Sequence, residues 1–269
     1  MSALFSTSSS SSSSSTESSS TSNLLLTETF ADVCELFLST SPYLFRAKIE
    51  PRDPRRSAVA HNNCVFFAHL IEVVAGQTPP LKAFLAKDAA TTNYVSALRE
   101  LASAIFRAQM QFEEGRLLSV ITGETPSAQA FASALAEIAN ETPATELKVS
   151  SVAHYELRRA LNDCLGLLGA LREAFAGDLL PEKLAARAFS TLVTSLLTAF
   201  LAPIIELNDI SSLGASHLAH ELDYFSGELQ PFLAGSGGGG SVSKWIKLNE
   251  VNFILKVGGH FFFFHFFWL

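Results

Sequence analysis

Apolar residues recur at intervals of three and four along most of the chain, the spacing that places side chains on one face of an α-helix. The clearest run alternates fours and threes through Leu157, Leu161, Cys164, Leu168, Leu171 and Phe175. A second run follows the same rule through Tyr94, Leu98, Leu101 and Ile105. No alternating apolar and polar segment of useful strand length occurs in the sequence. The pattern therefore predicts an all-α fold.

Proline, serine and glycine mark the ends of the predicted helices. Gly177 is expected to cap the first run at its C-terminus. Pro181 with Glu182 opens another helix, and Ser211 or Ser212 is expected to cap a third. The inward faces of these two helices are predicted to carry Leu184, Ala188, Leu192, Leu196 and Phe200 in the first, and Leu218, Leu222, Phe225 and Leu229 in the second. The predicted architecture is a series of antiparallel helical bundles.

Low-complexity segments suggest how the chain is divided. A serine tract at the N-terminus predicts disorder, because it offers too little apolar area to offset the loss of chain entropy. Breaks follow near 121–127 and at the glycine-rich segment 234–243. We expect a disordered tail at 1–26, a helical bundle at 27–121, a partly helical linker at 122–147, a terminal bundle at 148–233, a glycine–serine loop at 234–243, a terminal helix at 244–256 and an unrelated apolar tail at 257–269.

Charge and cysteine usage narrow the class of protein. The net charge is −7, from 19 basic and 26 acidic residues, which argues against nucleic-acid binding. The three cysteines are widely spaced within apolar segments, so buried thiols in a reducing compartment are expected. No secretory signal is visible, and we interpret the apolar stretch 188–205 as a core helix and not as a transmembrane segment.

The segment AVAHNNCVFFAHLI, residues 58–71, concentrates groups that can do chemistry. His61, Cys64 and His69 have the residue types of a zinc site, but His69 is rotated by roughly 140° from Cys64 on a helix and no fourth ligand is evident. A Cys64–His61 nucleophile pair lacks an orienting acid. We favour a structural helix that packs Val65, Phe66, Ala68 and Ile71 inward.

The same region resembles the C-terminal region of the centromere/kinetochore protein zeste-white ten family. The resemblance begins at FADVCELFLSTSPYLF and continues into a hallmark of the type HNNC–aromatic–x–AH. Weaker matches follow in order as far as KWIKLNEVNFILK, so the resemblance covers about residues 28–256. The hallmark is kept by His61, Asn62, Asn63, Cys64, Ala68 and His69.

The resemblance implies a non-catalytic subunit of a multisubunit tether, with a helical-rod fold, no cofactor and no catalytic use for the motif residues. The family works at mitotic kinetochores, in the spindle checkpoint and dynein recruitment, and peripherally on the endoplasmic reticulum in Golgi-to-ER vesicle tethering. A cytoplasmic protein is expected. Another helical-rod subunit, of exocyst or Golgi-complex type, is the alternative, followed by a Cys/His metal protein or thiol enzyme.

The resemblance also implies partners. The family's C-terminal helical region meets a NAG-type or Rod-type large subunit, so this contact is expected here. The N-terminal half that pairs with a RINT-type partner has no counterpart in this sequence, and that partner is not expected. Trp245, Ile246 and Phe253 repeat at helical spacing and either contact the large subunit or complete the core of the terminal bundle.

Overall fold

The computed structural model describes residues 14–48, 53–82, 89–142, 146–176, 179–207, 209–233 and 239–258. Within these ranges every regular element is helical and no strand occurs, which confirms the predicted all-α class. Eight helices have defined bounds, and residues 79–82 are also helical. The eight are α1 Ser14–Lys48, α2 Pro54–Gln77, α3 Ala89–Ile121, α4 Pro126–Ala139, α5 Glu146–Phe175, α6 Glu182–Ile205, α7 Ser212–Leu233 and α8 Gly239–Gly258.

The chain divides into two compact units. Unit 1 comprises Met1–Glu50 and Val59–Phe106, and unit 2 comprises Pro51–Ala58 and Arg107–Leu269. Helix α1 and most of α2 therefore lie in unit 1, and helices α4 to α8 lie in unit 2. Helix α3 contributes its first half to unit 1 and its second half to unit 2.

Helix α1 begins earlier than the sequence analysis predicts. It starts at Ser14, inside the segment 1–26 for which the sequence predicts a disordered tail, and residues 1–13 lie outside the described part of the chain. No glycine or proline occurs before Pro42. Serine costs a helix only about 0.5 kcal/mol relative to alanine, and each residue added to an existing helix gains a hydrogen bond. The helix anchored near Cys34 can therefore extend back into the serine tract.

Unit 1 has a small core. Cys34, Ala68, Ile71 and Leu98 form its buried cluster, with half-buried Phe30, Phe37, Leu38, Phe67, Tyr94 and Val95 packed against it. The rings of Phe37 and Phe67 stack with centroids 4.3 Å apart. The predicted face of α3 is confirmed, because Leu98 is buried between half-buried neighbours.

Unit 2 has a larger core, and its periodic runs lie where they are predicted. All six residues of the α5 run are buried, and so are Ala188, Leu192, Leu196 and Phe200 of α6, with Leu184 half-buried. Helix α7 buries Leu218, Leu222, Phe225 and Leu229. Pro181 immediately precedes α6, as expected. Gly177, the predicted cap of α5, lies outside the described residues.

Helix α4 occupies much of the segment that the sequence analysis describes as a partly helical linker. The Thr125 side chain accepts a hydrogen bond from the backbone N–H of Ala128, and Pro126 occupies the first turn. Phe131, Leu135 and Ile138 of this helix are buried in unit 2. Residues 126–139 are therefore a core element and not a connection.

The start of α7 is held against the end of α4. The Ser211 hydroxyl accepts from the N–H of Gly214, which identifies Ser211 as the cap, and the Ser211 N–H donates to Ala139 O over 2.8 Å. A Cβ atom at Gly214 would lie 2.3 Å from Ile138 O and 2.6 Å from Ala139 O. Only glycine allows this close approach of two backbones.

Helix α8 begins at Gly239, five residues before the predicted start and inside the segment predicted to be a loop. Glycine weakens a helix by about 1 kcal/mol per residue but does not forbid it, so a helix anchored further along can extend into the segment. The anchor is the packing of α8 on α6 and α7, through buried Leu248 and Leu255.

Helices α2 and α6 have the length and apolar composition of membrane spans. Of the most apolar window of each, 56% is buried inside the protein in α6 and 33% in α2. Core helices meet the same criteria of length and composition. Leu192, Leu196 and Phe200 are each 1% exposed, which makes α6 the central helix of unit 2.

Candidate functional site

The HNNC…AH motif lies in the middle of α2. Asp53 caps this helix, because its carboxylate accepts from the N–H of Arg56 over 3.1 Å, and Pro54 occupies the first helical position. The motif residues therefore belong to a regular helix. Their side chains point in several directions around it.

The six motif residues divide between the core and the surface. Cys64 and Ala68 are fully buried, and the Nδ1 atom of half-buried His61 lies 3.0 Å from Ala102 O on α3. Asn62 is half-buried, Asn63 is exposed, and the His69 side chain is 70% exposed beside Glu72. The inward half of the motif packs α2 against the rest of unit 1.

The predicted inward face of α2 is partly wrong. Ala68 and Ile71 are buried as expected, but Val65 and Phe66 are 42% and 66% exposed. The buried face instead follows Cys64, Ala68, Ile71 and Ala75, at steps of four, three and four. Apart from Ile71, the residues of this buried face are small, whereas Val65 and Phe66 point away from it.

The surroundings of Cys64 do not favour a thiol nucleophile. Burial raises the pKa of Cys64 to about 11, so at neutral pH only about one thiol in ten thousand is ionised. Burial likewise raises the pKa of Cys34 to about 11 and that of Cys164 to about 12. All three thiols are buried, and burial favours their neutral form.

The zinc interpretation of the motif also finds no support in the geometry. His61 faces a backbone carbonyl, Cys64 lies in the core, and His69 lies on the surface next to a carboxylate. The three side chains occupy three different environments. The structure does not assemble them into one site.

Helix α8 carries the residues predicted for partner docking. Trp245 is half-buried, whereas Ile246 and Phe253 are 51% and 65% exposed. Val257 is 56% exposed. At about 100° per residue, the directions of Ile246, Phe253 and Val257 around the helix axis lie within about 40° of one another. Ile246, Phe253 and Val257 form an exposed apolar stripe, called the α8 stripe below.

Polar contacts also join α8 to α7. Asn252 donates to Asp223 over 2.6 Å, and Lys256 pairs with the same carboxylate at 2.7 Å. The hydrogen bond from Lys256 holds the pKa of Asp223 below its ordinary value. Together with buried Leu248 and Leu255, these contacts orient the helix so that the α8 stripe points outward.

One cluster escaped the sequence analysis. Glu141, His154 and His217 bring three potential ligand atoms within 4.8 Å of one another in unit 2. They come from the end of α4, from α5 and from α7, and no local spacing connects them. Only the tertiary structure reveals this group.

Comparisons with known proteins agree with the resemblance seen in the motif. Residues 4–119 match the family described as "Centromere/kinetochore protein zw10, C-terminal". A centromere/kinetochore protein zw10 homolog of Mus musculus is 30% identical over 161 residues, which are 59% of this chain and 18% of the mouse protein. The Rattus norvegicus homolog is 27% identical over 183 residues, 67% of this chain and 21% of the rat protein.

The chain thus spans about a fifth of the length of the curated relatives that it matches. No solved structure matches it. The matched range contains the whole HNNC…AH motif together with helices α1 and α2 and nearly all of α3. Residues 4–119 are therefore similar to the zw10 C-terminal family.

Proposed function

We propose that this chain is a non-catalytic subunit of a multisubunit assembly of the zw10 type and acts through protein–protein contacts. The family match supports the class of protein. The buried thiols and the structural environment of the motif support a role without chemistry at that segment.

The partner surface that we propose is the α8 stripe. Large apolar side chains seldom line up on an exposed helix face unless another surface covers them. The inner side of α8 already packs on α6 and α7, so the stripe is not needed to complete that contact. This exposed stripe is the single observation that carries the docking proposal.

The occupant that we propose is the NAG-type or Rod-type large subunit. With the first, the chain would act in Golgi-to-ER vesicle tethering at the endoplasmic reticulum membrane. With the second, it would act in kinetochore checkpoint assembly and dynein recruitment. In either case we expect this chain not to capture the RINT-type subunit.

Co-precipitation with each partner subunit tests the proposal. We expect the full chain to capture the NAG-type or Rod-type subunit and not the RINT-type subunit. Deletion of residues 244–256 should weaken that capture, because it removes Ile246 and Phe253. Capture of the RINT-type subunit, or undiminished capture of the large subunit after the deletion, would contradict the proposal.

The deletion needs a control for folding, since α8 also covers parts of α6 and α7. A cooperative thermal transition measured by circular dichroism would show that the truncated chain keeps the rest of its fold. Loss of capture counts in favour of docking only in a chain that passes this check.

A further inference from the structure

Three helices of unit 2 meet around one buried carboxylate. The Glu141 side chain, just after α4, is 0% exposed. The Nδ1 atom of His217 on α7 lies 2.7 Å from Glu141 Oε2, and the Nε2 atom of His154 on α5 lies 3.5 Å from the same oxygen. The two imidazole rings meet edge to face, with centroids 4.8 Å apart.

The backbone holds these groups in place. The Ser211 hydroxyl donates to Glu141 O, and the close approach of Gly214 fixes the first turn of α7 against the end of α4. His217 lies one turn further along α7 and is thereby directed at the Glu141 carboxylate.

The Glu141 carboxylate is not satisfied by its neighbours. Its Oε1 atom is buried without a hydrogen-bond partner. Among the ion pairs of the described residues, Glu141 meets only the two histidines and no lysine or arginine. A buried carboxylate with an unpaired oxygen costs several kcal/mol unless a cation compensates it.

The neighbouring carboxylate, that of Glu221, is paired with an arginine. Glu221, one turn after His217, receives two hydrogen bonds of 3.0 Å from the Arg158 guanidinium. Its Oε1 atom lies 4.0 Å from His154 Nδ1. Arg158 therefore neutralises the charge of Glu221. The charge of Glu141 is not neutralised by Arg158 and can be balanced by another cation.

We infer that Glu141, His154 and His217 form a binding site for a divalent transition-metal ion of the zinc class. Two imidazole nitrogens and one carboxylate oxygen are a common zinc ligand set, with a fourth position left for water or another group. Tetrahedral ligands at about 2.0–2.1 Å from the metal lie about 3.3 Å apart. The 2.7 Å and 3.5 Å separations from Glu141 Oε2 bracket that value. All three ligand atoms lie within 4.8 Å of one another, so rotation of the histidine side chains would complete the set.

Glu221 has a supporting role in this site. When His154 binds the metal through Nε2, its Nδ1–H points toward Glu221, which Arg158 holds in position. Carboxylates that accept the second N–H of a metal-bound histidine orient the ring and strengthen the ligand. The metal would join the end of α4 to α5 and α7 and so stabilise unit 2.

Zinc titration of the metal-stripped full chain tests the inference. We expect one equivalent of Zn²⁺ to bind in competition with a chromophoric chelator and to raise the Tm of the protein. His217→Gln and His154→Gln should each weaken binding by more than the roughly 10–100-fold that is typical of losing an outer partner. Glu221→Gln should weaken it within that 10–100-fold range.

His61→Gln is the matched control, since His61 is a half-buried histidine of unit 1 that bonds a backbone carbonyl. It should leave one equivalent bound at unchanged affinity. Absence of stoichiometric zinc in the unaltered chain would overturn the inference without reference to any variant. Equal loss of affinity in His61→Gln and His217→Gln would also overturn it.

Discussion

Unit 1 carries the HNNC…AH motif, whereas unit 2 has the larger hydrophobic core. Of the twelve largest fully buried side chains among the described residues, only Leu98 belongs to unit 1. Ten of the sixteen large apolar residues that are exposed in the same part of the chain belong to unit 1. The unit that the family match covers most fully is thus the one that buries least of its own apolar surface.

Helix α2 shows how this difference arises. Its small residues Cys64, Ala68 and Ala75 face inward, while Phe66 and Leu70 point outward. A helix with this arrangement packs closely on one side and leaves a second apolar side uncovered. Unit 2 instead directs its aromatic rings inward, as in the contact of Phe200 with Phe225 at 4.9 Å. We therefore expect the two units to differ in stability and in dependence on further contacts.

The largest effect on stability is expected in unit 2, at the contact between α4 and α7. Gly214→Ala places a Cβ atom against two backbone carbonyls, which cannot move as side chains do. We expect a loss of about 3 kcal/mol, the upper end of the usual cost of overpacking. Trp245 belongs to unit 2, so urea unfolding followed by tryptophan fluorescence measures it.

Gly166→Ala is the control for this substitution. Nothing lies within 4 Å of a Cβ atom at Gly166, which is inside α5. The substitution should stabilise unit 2 by about 0.5–1 kcal/mol, because alanine is the better helix former. If both alanines shift the urea midpoint equally, the close approach at Gly214 is not a determinant of the fold.

Two arginine–glutamate pairs, one in each unit, sharpen the comparison. Arg158→Ala removes two hydrogen bonds from Glu221, whose side chain is 7% exposed, and should cost about 1.5–3 kcal/mol. Arg99→Ala breaks a pair with Glu72 in which both side chains are more than 40% exposed, and should cost about 0.2–1 kcal/mol. Urea unfolding followed by far-UV circular dichroism measures both, and equal losses would argue against the difference between the units.

Cys64→Ser probes the small core of unit 1. A hydroxyl replaces a fully buried thiol, so we expect a loss of about 1–3 kcal/mol in the free energy of unfolding, with partner capture unchanged. Circular dichroism and co-precipitation check the two parts. Stoichiometric zinc in the unaltered chain that is lost in this variant, but not in His217→Gln, would instead place a metal site at the motif.

The sequence predicts unit 2 well where one helix face decides the packing. Helices α5, α6 and α7 have single apolar faces, and the residues of those faces are buried as expected. It predicts α2 less well, because Val65, Phe66 and Ala68 are apolar neighbours on different faces. Periodicity identifies such a helix but does not show which side is buried. Close approach, which favours small residues, decides that question.

Two further features depend on tertiary structure alone. In the cluster of Glu141, His154 and His217, His154 follows Glu141 by 13 positions and His217 follows His154 by 63. Such spacings form no recognisable sequence motif. The exposed side of α8 is also undetermined by sequence, since Leu248 and Phe253 are both apolar and only one is buried. The packing of α8 on α6 and α7 determines which side of α8 is buried.

The central claim is that the α8 stripe, and not exposed apolar surface in general, binds the large subunit. Phe253→Asp and Phe66→Asp form a matched pair, because the two side chains are 65% and 66% exposed on different units. Both should change the free energy of unfolding by less than about 0.5 kcal/mol. In co-precipitation with the NAG-type or Rod-type subunit, Phe253→Asp should weaken capture and Phe66→Asp should leave it intact. Capture retained by Phe253→Asp and lost in Phe66→Asp would contradict the account and place the contact on α2.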